Sequence, residues 1–318
     1  MQRVLSMTGL VVALAMSAAI PGIRALFRDR TKAHSRTVGQ SQPDTSAAWQ
    51  TLLLFENQNL SKLAKPEREK IQRTIDALVG KRENQLRFPW FLKKISDAKG
   101  LTRYALIEES PLITIPGNSG MSVHIFGPNG ALIRSFAFET GWRIAVTDIR
   151  VAHLRQIDRD VIEVRSEPVI NGRDVAKQFY ALVNDDVLLI RLEDKAGHLV
   201  RNAYGAPNHT FGFAITGRSA NDWEQTLVSD DPAEVLATLT WLSGTHLDPK
   251  EPLPVPPTGW PEISHEELAE ARTAGEVRSR ESVQRRLKTL LASENLWVRQ
   301  AANLARKSED YSWGIRIK

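Results

Sequence analysis

Ser119 lies in "IPGNSGMS", Ile115 to Ser122, in the G-x-S-G form that can present a serine hydroxyl as a nucleophile. A serine attacks a carbonyl only when a base takes its proton and a third group orients that base. The imidazoles available after it are His153, His198 and His209, the last in the loop "YGAPNHTFGF" from Tyr204 to Phe213. The same loop carries Tyr204, Asn208 and Thr210, and Asp174 could orient the base, with Arg173 beside it. Loops on rigid scaffolds often carry such groups. Trp142 and Tyr204 offer a different chemistry, since exposed rings on a sheet can stack on a sugar or a peptide.

Chain order weakens the serine reading. Trypsin-like and subtilisin-like triads place both His and Asp before the Ser, and here only His34 precedes Ser119. An α/β-hydrolase elbow is G-x-S-x-G between a strand and a helix, whereas Gly120 follows Ser119 directly and the next segment alternates like a strand. Pro116, Gly117, Asn118 and Gly120 suffice for a strand-to-strand turn, so Ser119, His209 and Asp174 are outsiders for catalysis. The seven histidines form no H-x-H or H-E-x-x-H, and no glycine loop is built for a phosphate, so neither a metal nor a cofactor is expected. The carboxylate pairs Asp185-Asp186 and Asp230-Asp231 read as turn and helix-cap residues.

With no cysteine, the chain has neither disulfides nor thiolate chemistry. The formal charge is +5, but the basic residues gather at the ends. Arg24, Arg28, Arg30, Lys32 and Arg36 face only Asp29, and the residues from 263 onward hold eleven Lys/Arg against eight Asp/Glu. A folded body without a basic face gives no reason to expect nucleic acid. Residues 4–23 carry no charge, follow Arg3 and end in Ser17-Ala18-Ala19 before Pro21-Gly22. They read as a signal peptide over 1–23 or as a single-span anchor, with membrane contact through 4–23 and the cluster Arg24–Arg36. The expected location is therefore outside the cytoplasm: exported to the periplasm or beyond, or membrane-anchored.

These groups must be held by an α+β chain. After a disordered basic spacer over 24–44, a helical part over 45–99 starts near Thr45 or Ser46, with Trp49, Leu52, Leu53, Leu60 and Leu63 as the apolar stripe of its first helix and Ile71, Ile75 and Leu78 as that of its second. The aromatic cluster "FPWFLKK" is expected to pack those helices onto the next domain. From Leu101 to 217 the period is two, with short connections such as "GPNG", which predicts a central antiparallel β-sandwich or partly open barrel. "VHIFGPNGALIRS" (Val123–Ser135) aligns without gaps on "IRLEDKAGHLVRN" (Ile190–Asn202), so two similar hairpins are expected. A helical hairpin over 218–247 follows, capped at Ser219 and at Asp230 or Asp231, then a proline-rich linker over 248–262 and a helical end over 263–318.

"LLASENLWVRQAANLA" resembles the turn and second helix of a HEAT repeat, with Val298-Arg299 and the small residues Ala301 and Ala302 in the family's places. "LVSDDPAEVLATLTWL" is a looser echo without the Val-Arg pair. The resemblance covers about 227–243 and 283–306 and implies C-terminal HEAT-like α-hairpins, which cap the β-domain and bind protein. The layout also resembles uncharacterised exported bacterial proteins with such C-termini, and no family is known for the β-domain. The expected function is a non-enzymatic cell-envelope scaffold that binds another protein or itself. The alternatives are a hydrolase-like enzyme at Tyr204–Phe213 and a sugar- or peptide-binding β-sandwich.

Overall fold

The computed structural model describes residues 45–80, 88–96, 100–111, 119–139, 144–168, 176–183, 185–200, 218–244 and 265–307. The protein is α+β: two four-stranded antiparallel sheets face each other, and helices cover the outer face of each. The described strands form no closed barrel.

Helix α1 (Ser46–Leu53), a 3-10 turn (Leu60–Lys62) and α2 (Lys65–Val79) come first. Pro66 suits the first turn of α2, where its missing N–H costs nothing, and Gly80 ends the helix at φ +87°. Trp49, Leu52, Leu60, Ile71, Ile75 and Leu78 are buried, as their spacing predicts, while Leu53 and Leu63 of the same stripe are half-buried at its edge.

Sheet 1 runs β1 (Phe88–Ser96), β2 (Thr102–Pro111), β3 (Ser119–Phe126), β4 (Leu132–Glu139), in that order. Sheet 2 repeats the meander with β5 (Ile144–Leu154), β6 (Arg159–Pro168), β7 (Lys177–Val183) and β8 (Asp186–Glu193). Alternation sorts each strand's residues between two faces. Ile95, Ala105, Ile107, Val123 and Ile125 of sheet 1 meet Ile149, Ile162, Val164, Tyr180, Leu182 and Val187 of sheet 2 in the central core. Leu92, Leu106 and Phe126 turn outward onto α1 and α2. Val161, Phe179, Ala181, Leu188 and Ile190 turn outward onto the C-terminal helices.

Strand β1 corrects one expectation, since "FPWFLKK" is a strand. Leu92 packs against the helices, while Trp90 and Phe91 lean on the central core. Pro89 and the pair Lys93-Lys94 hide the alternation, and a bulge falls between Pro89 and Phe91.

The two hairpins found by alignment adopt the same turn. Gly127 N–H donates to Ala131 O and Gly130 N–H to Gly127 O, while Asp194 N–H donates to His198 O and Gly197 N–H to Asp194 O. Gly130 and Gly197 lie at φ +82° and +83°, the left-handed position that closes a three-residue hairpin. Leu132 then packs on the N-terminal helices and Leu199 on the C-terminal ones. Residues 201–202 of the second copy lie outside the described residues.

Helices α3 (Ala220–Leu227) and α4 (Pro232–Leu242) form one hairpin, and α6 (Glu281–Leu290) and α7 (Leu296–Arg306) a second. The long α5 (His265–Ser279) packs on α3, α4 and α6. Ser219 and Asp222 make the expected capping box, and Asp231 caps α4. The hairpins stack in pairs, α3 on α6 and α4 on α7. The inner helix α4 lies on β7 and β8, and Trp297 of α7 meets Phe179 of β7 at 5.6 Å between ring centroids. The apolar side of the stack is thus spent on the protein's own sheet.

Candidate functional site

The helix-side face of sheet 1 holds a hydrogen-bonded chain of three side chains. Glu108 on β2 is fully buried, and its Oε2 lies 2.9 Å from His124 Nε2. His124 on β3 is 4% exposed, and its Nδ1 lies 2.8 Å from the Oγ of Ser135 on β4. Ser135 itself is exposed. Register creates the set: His124 stands opposite Ser135 on one side and Leu106 on the other, with Glu108 two residues along from Leu106. Directly opposed residues share a face, and diagonal ones come within reach of a long side chain.

An imidazole between an acid and a hydroxyl can pass a proton. With Glu108 ionised, Nε2 carries the proton toward the carboxylate, and Nδ1 offers its lone pair to the Ser135 O–H. That is the arrangement of nucleophile, base and orienting acid. Sequence reading offers His124 as a polar side chain that could join a site but misses Glu108 and Ser135, because each member sits inside a strand. The available signal was phase: Glu108 falls in step with Tyr104 and Leu106, and His124 with Phe126.

Sheet 2 carries a different polar set on its helix-side face. Glu163, 3% exposed, accepts from Arg150 at 2.7 and 2.9 Å and from Arg165 at 2.8 Å. Burial pushes its carboxyl up, but the two guanidiniums outweigh that and hold it below the usual range. Arg191 donates to Glu193 at 2.6 Å and to Gln300 at 3.1 Å, and lies 4.4 Å over the Trp297 ring. The pair Asp185-Asp186, expected only to turn the chain, also joins the layers. Asp185 accepts from Arg103 of β2 at 2.7 Å, and Asp186 accepts from Arg134 of β4 and from Arg218.

Two further carboxyls are lifted by burial. Glu109 rises against the partial offset of the Trp90 indole N–H, 2.7 Å away. Glu270 on α5 is pushed up to about 7 by burial, although Trp241 donates to it at 2.9 Å. Trp241 in turn stacks on Trp223 at 4.5 Å.

Of the catalytic and binding candidates read from the sequence, the structure describes the backbone of Ser119, the first residue of β3, so "SG" belongs to the strand and not to the turn. Trp142, Asp174, Tyr204 and His209 lie outside the described residues, as does the proline-rich linker. Among the described residues no group of three or more His, Asp or Glu is arranged to hold a metal ion. No described helix is long and apolar enough to cross a membrane, and residues 4–23 are not among those described.

Comparison with known protein families, with curated proteins and with solved structures finds no match to this chain.

Proposed function

We propose that the protein is an exported or membrane-anchored interaction scaffold of the cell envelope, which engages another protein or a second copy through its helical end. One observation carries the reading. The two stacked hairpins are fixed to sheet 2, and the first presents an open cleft of about 550 Å³ along α3 and the α3–α4 turn. Its lining mixes Arg218, Asp222 and Glu234 with Gln225, Thr226 and the exposed Val228. A rigid mount lowers the entropy lost on association, and an exposed apolar residue ringed by polar ones suits a protein contact.

The test uses the full-length protein in its own cells, with a photo-crosslinking residue at Gln225 and a control at the surface residue Glu294. The expected result is an envelope-fraction adduct from position 225 that vanishes when Val228→Asp is added. Equal adducts from both positions, or a cytoplasmic protein, overturn the proposal.

A further inference from the structure

We propose that Ser135 is a nucleophile for short acyl groups, with His124 as its base and Glu108 as the group that positions His124; this goes beyond an interaction role. Burial is graded along the three side chains. The acid is sealed, the imidazole is almost sealed, and only the hydroxyl at the end of the chain reaches solvent. A purely structural network on a covered sheet face needs no exposed member. This one ends where a substrate can arrive.

Both hydrogen bonds, 2.8 and 2.9 Å, are within the range for proton transfer. The buried Glu108 carboxylate favours the imidazolium that forms when His124 takes the proton. The backbone supplies donors as well. Among the described residues β4 has one neighbour, β3, so alternate N–H groups along it point away from the sheet. By that alternation, an outward N–H belongs either to Ser135 or to the residues beside it. Such a donor can stabilise the negative oxygen of a tetrahedral intermediate.

The step balances without a cofactor. Ser135 Oγ bonds to the ester carbonyl carbon while its proton passes to His124 Nδ1. The carbon–oxygen bond to the alcohol breaks, and the alcohol leaves with that proton. Water then attacks the acyl-serine by the same route, releasing the acid and restoring Ser135. A short acyl group is the chemical class that fits. The described side chains beneath the serine, His124 and Glu108, are buried, so the acyl group is held at the surface, where a short one asks least of the protein.

The experiment treats the full-length protein with a fluorophosphonate and locates any adduct by intact mass and peptide mapping. The expected result is one adduct on Ser135, absent in Ser135→Ala. In Glu108→Gln it should form about a hundredfold more slowly, the scale of general-base assistance, with an unchanged circular dichroism spectrum. Because the chain has no cysteine, Ser135→Cys supplies a clean second test. Its thiol should react with iodoacetamide faster than that of a Ser96→Cys control, at another exposed strand serine. No adduct at Ser135 in the folded protein overturns the proposal, and so does an undiminished rate in folded Glu108→Gln. A thiol in Ser135→Cys that reacts no faster than the control overturns it as well.

Discussion

The two sheets are the same device used twice, and they differ at one telling place. Each is a four-stranded meander with one face on the central core and the other under helices. In the ungapped alignment of the two hairpins, His124 of β3 falls on Arg191 of β8. Both stand on the helix-side face and both contact a glutamate. Arginine keeps its charge at any ordinary pH, so in sheet 2 the contact is a fixed ion pair. Histidine can gain and lose a proton near neutrality, so in sheet 1 the contact can relay one. The same register thus serves as a clamp in one sheet and as a reactive centre in the other.

The largest effect should separate the matched glycines. A Cβ on Gly130 would collide with the Trp49 ring, whereas a Cβ on Gly197 would meet nothing within 4 Å. Gly130→Ala should cost about 4 kcal/mol, from the left-handed φ plus the steric cost of displacing Trp49. Gly197→Ala should cost about 1 kcal/mol. Urea unfolding of the two variants measures the difference, and equal losses would mean that the N-terminal helix is not seated on the β3–β4 turn.

Next is the carboxyl beneath the C-terminal helices. Raising Glu270 from its ordinary 4.5 to about 7 means that the folded state binds a proton more tightly than the unfolded one. Stability is then full below about pH 4.5 and falls as pH rises to about 7, by about 3 kcal/mol in all. Glu270→Gln should remove that decline, so its advantage over the native protein should grow between those pH values and then level off. Denaturation midpoints across that range check it.

A smaller effect distinguishes the clamp from the relay. Glu163 is held below the usual carboxylate range, so its contribution is present above the unfolded value and is lost as pH falls through the folded one. Its arginine partners are 48% and 40% exposed, and solvent screening limits the contribution to about 1 kcal/mol. Glu163→Gln should therefore cost about that much at pH 7, nothing in acid, and leave Ser135 reactivity unchanged. Guanidinium unfolding at the two pH values, with labelling alongside, decides it. The smallest effect is at the surface: Val228→Asp should change stability by less than about 0.5 kcal/mol, measured by thermal unfolding, even as it removes the partner contact.

Much of the scaffold was legible in the sequence, because helix stripes, caps and turn glycines act locally. The alternation in "SVHIF", the apolar run "QFYALV" and the capping box at Ser219 each follow from a few adjacent residues. Strand β1 was not legible, because Pro89 and Lys93-Lys94 break its pattern. The relay was not legible for a different reason. Glu108, His124 and Ser135 meet only through the register of three strands, and register is a tertiary property. Ser119, with its suggestive glycines, sits at a strand end, while the hydroxyl paired with a base lies on the next strand of the same hairpin.

The chemistry of sheet 1 turns on His124 accepting from Ser135 and donating to Glu108. Nitrogen-15 NMR of the imidazole in the full-length protein at mildly alkaline pH reads this directly. A protonated Nε2 and an unprotonated Nδ1 are expected, with the Nε2 proton shifted by Glu108 and restored toward the free value in Glu108→Gln. A protonated Nδ1, or an Nε2 signal indifferent to Glu108→Gln, would show that the histidine is no relay.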